Sequence, residues 1–342
     1  MKMNKHFKVI LAVSIALTTA LSACGPAATP TPTEAPPKAP TEAPTETPTE
    51  LKKPKRVAVL FPGVVTDHSW NQYGFEGLKK AEEECGVEIA YTENVTQDEQ
   101  LEIIRNYVAE GYDMIIGHGG EFEDALAMVA EEHPEVWFGV TDGTPKTPNM
   151  TGITLSFRQM GYLAGILACN MTKSNHVAYV VGEKLKCADE GFEGFERGVQ
   201  TCGKDIEVSY VATGDWADVT KGREAALALI DKGVDVLWHM LDTADAGLIS
   251  AAEDKGVWAI GLYRDSSSLG PKAVLGSMLG SPATEIYLLA CGKLEPGKMY
   301  HVDVNTPDGV DVHLTDLTPD DVKQKVLEAL EKMRSGEISI EP

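Results

Sequence analysis

The chain predicts an α/β fold of two doubly wound lobes joined by a hinge around a cleft. Three observations carry this. Short apolar runs alternate with helical patterns from residue 55 onward. Those runs are apolar at nearly every position, as strands of a parallel sheet covered on both faces are. The alternation falls into two blocks, about 55–140 and 176–262, separated by a helical stretch at 159–171. Two such blocks are the pattern of two lobes linked by crossovers.

In chain order, strand signals lie at 57–61, 87–91, 113–117 and 136–140 in the first block. Those of the second lie at 176–181, 206–212, 234–238 and 257–262. A first helix follows the loop after Phe61 and ends near Cys85-Gly86. Helical periodicity recurs at 97–110, 121–133, 188–202, 219–232 and 243–255. Beyond the second block the chain crosses back, with a strand at 273–278, a helix at 282–291 and strands near 299–304 and 310–314. A helix at 319–333 closes it. The expected first lobe is 55–165 plus about 277–310, and the second is 172–275 plus about 311–342.

The residues before this body have other work. Lys2, Lys5 and Lys8 precede an uncharged run at 9–21 that is too short to span a bilayer. It closes on Leu21-Ser22-Ala23-Cys24-Gly25, which resembles a bacterial lipobox. That resemblance implies a signal peptide at 1–23, cleavage before Cys24, and diacylglycerol plus an acyl chain such as palmitate on Cys24. Dual acylation anchors stably. Residues 25–50 are almost entirely Pro, Thr, Ala and Glu, with no large apolar side chains to build a core. The stretch 24–54 therefore reads as a tether between a membrane surface and the folded body.

Net charge is −22, and removing residues 1–23, with three lysines and no acid, takes it to −25. So acidic a chain disfavours nucleic acid as a partner. Besides Cys24 there are Cys85, Cys169, Cys187, Cys202 and Cys291, with no Cys-x-x-Cys pair to hold structural zinc. Cys187 and Cys202 flank one predicted helix, where a disulfide could join them. With an odd number, at least one cysteine is left over or pairs otherwise.

The polar chemistry sits at predicted strand ends, where open α/β sheets bind ligands. After Phe61 come Asp67, His68, Ser69, Trp70, Asn71 and Phe75, with Asp67 or Ser69 placed to cap the next helix. Later strand ends offer Gly117 and His118, then Asp142, then Trp216, then Asp242, then Tyr263. Each alone is as readily a cap, turn or core residue. An enzyme is not expected, because no Gly-x-Ser-x-Gly elbow and no His-x-x-x-His spacing is present. No metal or cofactor is expected either.

The run Asp67-His68-Ser69-Trp70-Asn71-Gln72-Tyr73-Gly74-Phe75-Glu76-Gly77-Leu78 resembles the opening signature of the basic-membrane-protein family. These are lipoprotein substrate-binding components of ABC importers, related to the purine nucleoside receptor of spirochaetes. Further matches are Glu110-Gly111-Tyr112-Asp113-Met114-Ile115, Asp142-Gly143, Leu163-Ala164-Gly165, Gly233-Val234-Asp235-Val236 and Ala259-Ile260-Gly261. The resemblance spans about 55–340. It implies a type I periplasmic-binding-protein fold that closes on a purine, with Phe75 and Trp216 as the rings sandwiching the base. By the same resemblance, Asp142 meets the base edge and 67–71 supplies first-lobe contacts, with Trp70 adding a wall. The implied partners are an ABC permease and its ATPase, encoded elsewhere.

Two departures point away from ribose. Tyr263 stands where the family commonly has the aspartate that holds ribose hydroxyls, and Gly280 stands near a common lysine. Asp242 is an acid where nucleoside binders often have glycine, placed to accept from an amine or a ring N–H. The expected ligand is thus a purine, a free base rather than a nucleoside. The alternatives are a tethered sensor for a membrane receptor or kinase, and a receptor for a non-purine solute.

Overall fold

The computed structural model describes residues 53–340. The signal peptide, Cys24 and most of the tether lie outside the described residues. The first lobe is built on β1 (Arg56–Leu60), α1 (Trp70–Cys85), β2 (Glu88–Thr92), α2 (Gln100–Ala109), β3 (Met114–His118), α3 (Glu123–Glu132), β4 (Trp137–Thr141) and β5 (Met150–Leu155). After α4 (Phe157–Met171), the second runs through β6 (His176–Val181), α5 (Lys186–Gln200), β7 (Glu207–Ala212), α6 (Val219–Ile230), β8 (Val236–Met240), α7 (Asp245–Lys255), β9 (Trp258–Tyr263) and β10 (Val274–Leu279). The chain ends through α8 (Pro282–Ala290), β11 (Met299–Val302), β12 (Asp311–Leu314) and α9 (Asp320–Arg334).

Two six-stranded sheets result. Their orders are β11-β5-β4-β3-β1-β2 and β12-β10-β9-β8-β6-β7. Every pairing is parallel except that of β10 with β12. The central strands are buried end to end, which explains why they read as unbroken apolar runs. Strand β5 was not expected. Its sequence, Met-Thr-Gly-Ile-Thr-Leu, dilutes the apolar signal although all six residues are buried.

The chain passes between the sheets three times, after β5, after β10 and between β11 and β12. Helix α4 lies against α5 and α9, and β10 pairs in the second sheet. The second lobe thus includes 157–165 and the strand expected to begin the return, so the return to the first lobe comes at α8.

Small residues set the α4–α5 contact. A Cβ at Gly161 would lie 2.2 Å from the Gly191 carbonyl oxygen, and one at Gly194 would lie 2.1 Å from that of Arg158. Backbone therefore touches backbone. Nearby, Cys169 at the end of α4 is bonded to Cys202 just past α5. Cys85 at the end of α1 is bonded to Cys291 just past α8, across 206 residues of sequence. Cys187 is the free cysteine among the described residues. The expected Cys187–Cys202 pair is absent because Cys187 opens α5 at the sheet edge while Cys202 follows its far end, where Cys169 lies.

Candidate functional site

Because the central strands are parallel, their carboxyl ends put the loops of each lobe along one edge, and these edges face each other. Contact across the gap is direct. Ser69 donates its hydroxyl to Asp242 Oδ1 at 3.2 Å. Arg264, just past β9, pairs with Glu76 of α1, and its guanidinium lies 3.7 Å over the Tyr73 ring. Tyr73 also meets Tyr263 edge to face, with ring centroids 6.3 Å apart. The lobes are closed.

The loop after β1 divides into support and contact. Asp67 caps α1: its carboxylate accepts from the backbone N–H groups of Ser69, Asn71 and Gln72 and from the Asn71 amide. Asn71 in turn accepts from the Gly63 N–H. With the cap supplied by Asp67, Ser69 is free to reach Asp242. His68 is exposed, in the left-handed backbone region at φ 58°. Trp70 stacks on His118 at 3.7 Å between centroids. Phe75 instead packs on Tyr91 and Phe61, inside its own lobe.

His118 is fully buried, its Nδ1 shared with the Thr141 hydroxyl and its Nε2 with the Trp70 carbonyl. Burial pushes its pKa down to about 4, so it is a neutral platform for the indole. Gly117 makes room for Phe122, since a Cβ there would lie 2.4 Å from that side chain. Both are supports for the cleft wall.

In the second lobe, Trp216 lies flat on Gly182, where a Cβ would fall 2.2 Å from the indole. The Trp216 carbonyl accepts from the N–H groups of Asp242 and Ala244, which ties its backbone to the Asp242 loop. Trp70 follows Ser69 in the chain and the Trp216 backbone holds Asp242, so each lobe brings one tryptophan residue next to a partner of the Ser69–Asp242 contact. Tyr263 is buried at φ 65°, a strained setting for a bulky residue.

Carboxyls line both walls. Asp142 accepts the Thr154 hydroxyl at 2.6 Å on Oδ1. Burial pushes it up to about 7, opposed by that bond and aided by Glu121 and Glu190. Asp242 is also raised to about 7, by burial first and then by Asp67. Asp245 rises to about 7 through burial, and Glu121 is raised for the same reason. Sequence reasoning missed Glu121, Asp245, Tyr73 and the Arg264–Glu76 pair. The acids open helical turns just after strands, where an acid is ordinarily a favourable partner of the helix dipole.

Two closed lobes, parallel sheets meeting edge to edge and a polar aromatic seam between them define a type I periplasmic-binding protein. The chain belongs to the family described as PnrA-like ABC transporter substrate-binding proteins, whose profile matches residues 54–341. It is 28% identical to "Transcriptional activator protein med" of Bacillus subtilis, over 74% of this chain and 80% of that one. It is 25% identical to "Basic membrane protein A" of Borreliella burgdorferi, over 65% and 67%. Among solved structures, a transcriptional activator of the comK gene from Bacillus halodurans has a TM-score of 0.69 at 26% identity, over 81% and 96% of the two chains. An ABC transporter solute-binding protein from Aeropyrum pernix has a TM-score of 0.73 at 20% identity, over 84% and 93%. The family is one of extracytoplasmic solute receptors. Among the described residues no helix is long and apolar enough to cross a membrane.

Proposed function

We propose that this protein is a lipid-anchored receptor that captures a purine between its lobes and delivers it to an ABC permease. The observation that carries the reading is the interlobe Ser69–Asp242 contact, with Trp70 next to Ser69 in the chain and Trp216 bonded through its carbonyl to Asp242. Indoles bind any planar base by stacking, while Asp142 and Asp242, from opposite lobes, accept N–H groups at its edges. In this reading Trp70, rather than Phe75, is the first-lobe ring. Tyr263 favours a free base, because a site built for ribose hydroxyls needs polar partners that tyrosine does not supply in number. Capture involves no bond chemistry: the ligand stabilises the closed state because only there do both walls touch it.

Calorimetric titration of the ligand-stripped domain with adenine, guanine, hypoxanthine and their nucleosides tests this. Bases binding more tightly than nucleosides is the expected result. Tighter nucleosides would sink the base preference, and silence from all six would sink the purine reading.

A second reading has its own support, since one relative carries the name of a transcriptional activator. In it the closed form is read by a membrane receptor or kinase. Ligand uptake in cells lacking this protein separates the two, since lost uptake supports delivery and unchanged uptake supports sensing. The lipid anchor is tested by mass spectrometry of the mature N-terminus, which should show an acylated Cys24.

A further inference from the structure

Tyr263 holds a backbone conformation that its residue type resists. Six non-glycine residues among the described residues have positive φ: His68, Asn94, Asp142, Asn175, Tyr263 and Asp308. Five of them are Asn, Asp or His, the types that tolerate the left-handed region. Tyr263, at φ 65°, is the one bulky side chain. The strain has a local form. The Arg264 N–H donates to the Leu262 carbonyl at 2.8 Å, which closes a three-residue turn around Tyr263. With positive φ at its centre, this is the rare and strained form of the γ-turn.

Strained backbone persists where the surrounding contacts over-determine it. Here several of those contacts come from the other lobe. The Tyr263 ring meets Tyr73 of α1 edge to face, at 6.3 Å between centroids. The Arg264 guanidinium lies over the same Tyr73 ring and pairs with Glu76, three residues further along α1. From its own side, the Tyr263 carbonyl accepts from the Gly280 N–H at 3.2 Å, where the chain leaves β10 for α8. The turn is thus bonded to one of the three crossings between the lobes. A cavity of about 280 Å³ lies against it, lined in part by Tyr73, Tyr263, Gly280 and Ser281, so the ring has room to swing when the turn relaxes.

We propose that the Tyr263 turn is a spring loaded by closure. Shutting the cleft docks Tyr263 and Arg264 on α1 and holds the turn in its strained form. Opening removes the Tyr73 and Glu76 contacts, and the turn relaxes to negative φ. The empty protein therefore reopens, and a ligand holds it shut only by offsetting the cost of the turn.

The test pairs Tyr263→Gly with Tyr263→Ala. Both lack the ring and lose the Tyr73 contact alike, but glycine adopts positive φ freely while alanine does not. Spin labels on Met128→Cys and Val219→Cys, exposed positions of the two lobes, are introduced in a Cys187→Ser background. Electron–electron double resonance then reads the open and closed populations of the ligand-stripped protein. The closed-to-open ratio should be at least about fivefold higher for Tyr263→Gly than for Tyr263→Ala. Indistinguishable ratios overturn the proposal, because strain present in both states shows only in the urea midpoint. A higher ratio for Tyr263→Ala overturns it too. Should the ring-less variants fail to fold, the carbon-13 shift of the Tyr263 Cα decides, compared between the wild type and Arg264→Ala. It should leave the left-handed range in Arg264→Ala, and an unmoved shift overturns the spring.

Discussion

Single residues divide between those that hold the cleft and those that face it, and substitution should separate them. Trp70→Ala and Trp216→Ala each remove a stacking face worth about 1–3 kcal/mol per base, so each should weaken purine binding by roughly ten- to a hundredfold. Phe75→Ala should chiefly lower the melting temperature, because its ring fills space against Phe61 and Tyr91. If Phe75→Ala cut affinity as deeply as Trp70→Ala at unchanged stability, the assignment of Trp70 as the first-lobe ring would fall.

The buried acids give a pH dependence with a definite sign. Asp142 is raised on folding from 3.8 to about 7. Between those values the folded state holds a proton that the unfolded chain has released. Its stabilising effect is therefore full below pH 3.8 and is lost as pH rises through 7. His118 and His239 run the other way, held by burial at about 4 and about 3, so each loses stability as pH falls below 6.5. The two trends overlap, and only a difference between variants isolates either. Asp142→Asn should gain stability relative to the ligand-free wild type steadily from pH 4 to 7. Thermal melts across that range check it, and a flat difference would refute the assignment.

At the scale of elements, the α4–α5 pair is the tightest joint in the second lobe. The carbonyls of Gly191 and Arg158 fill the positions where Cβ atoms on Gly161 and Gly194 would stand. Gly161→Ala or Gly194→Ala should cost about 1–3 kcal/mol, read as a lower urea midpoint. The Cys85–Cys291 bond joins the ends of α1 and α8, the two helices on one face of the first sheet. Replacing both cysteines with serine should cost about 2–4 kcal/mol. Denatured but unreduced, the domain from Lys55 onward should take up one equivalent of thiol reagent, at Cys187. Two or more would mean that a bond is missing.

For the whole molecule, the question is what holds the lobes shut. The contacts that cross the gap among the described residues include the Ser69–Asp242 hydrogen bond, the edge-to-face meeting of Tyr73 with Tyr263, the Arg264–Glu76 pair and the stacking of Arg264 on Tyr73. The last two share one side chain, and a cation over an aromatic face adds about 0.5–2 kcal/mol to a pair that solvent otherwise screens. Arg264→Ala should therefore shift the ligand-free protein toward open forms. Small-angle scattering should show a larger radius of gyration without ligand and an unchanged one with it.

By itself the sequence determined the two-lobed α/β plan, since central strands buried on both faces must be apolar throughout and the helices between them periodic. Eleven of the twelve strands among the described residues were legible, the central ones by that signature, and β5 escaped because its threonines and glycine, though buried, dilute the apolar run. Parallel strands deliver their carboxyl ends to one edge, so the loops that carry the candidate residues fall along one edge of each sheet. Sequence could not decide which polar groups in those loops were spent on the fold. Only packing shows that Asp67 and Asn71 are consumed by capping, that Phe75 turns into its lobe while Trp70 stacks on His118, and that Cys202 meets Cys169 rather than Cys187. Burial and pairing depend on what the distant chain places nearby, and a sequence window holds only its own neighbours.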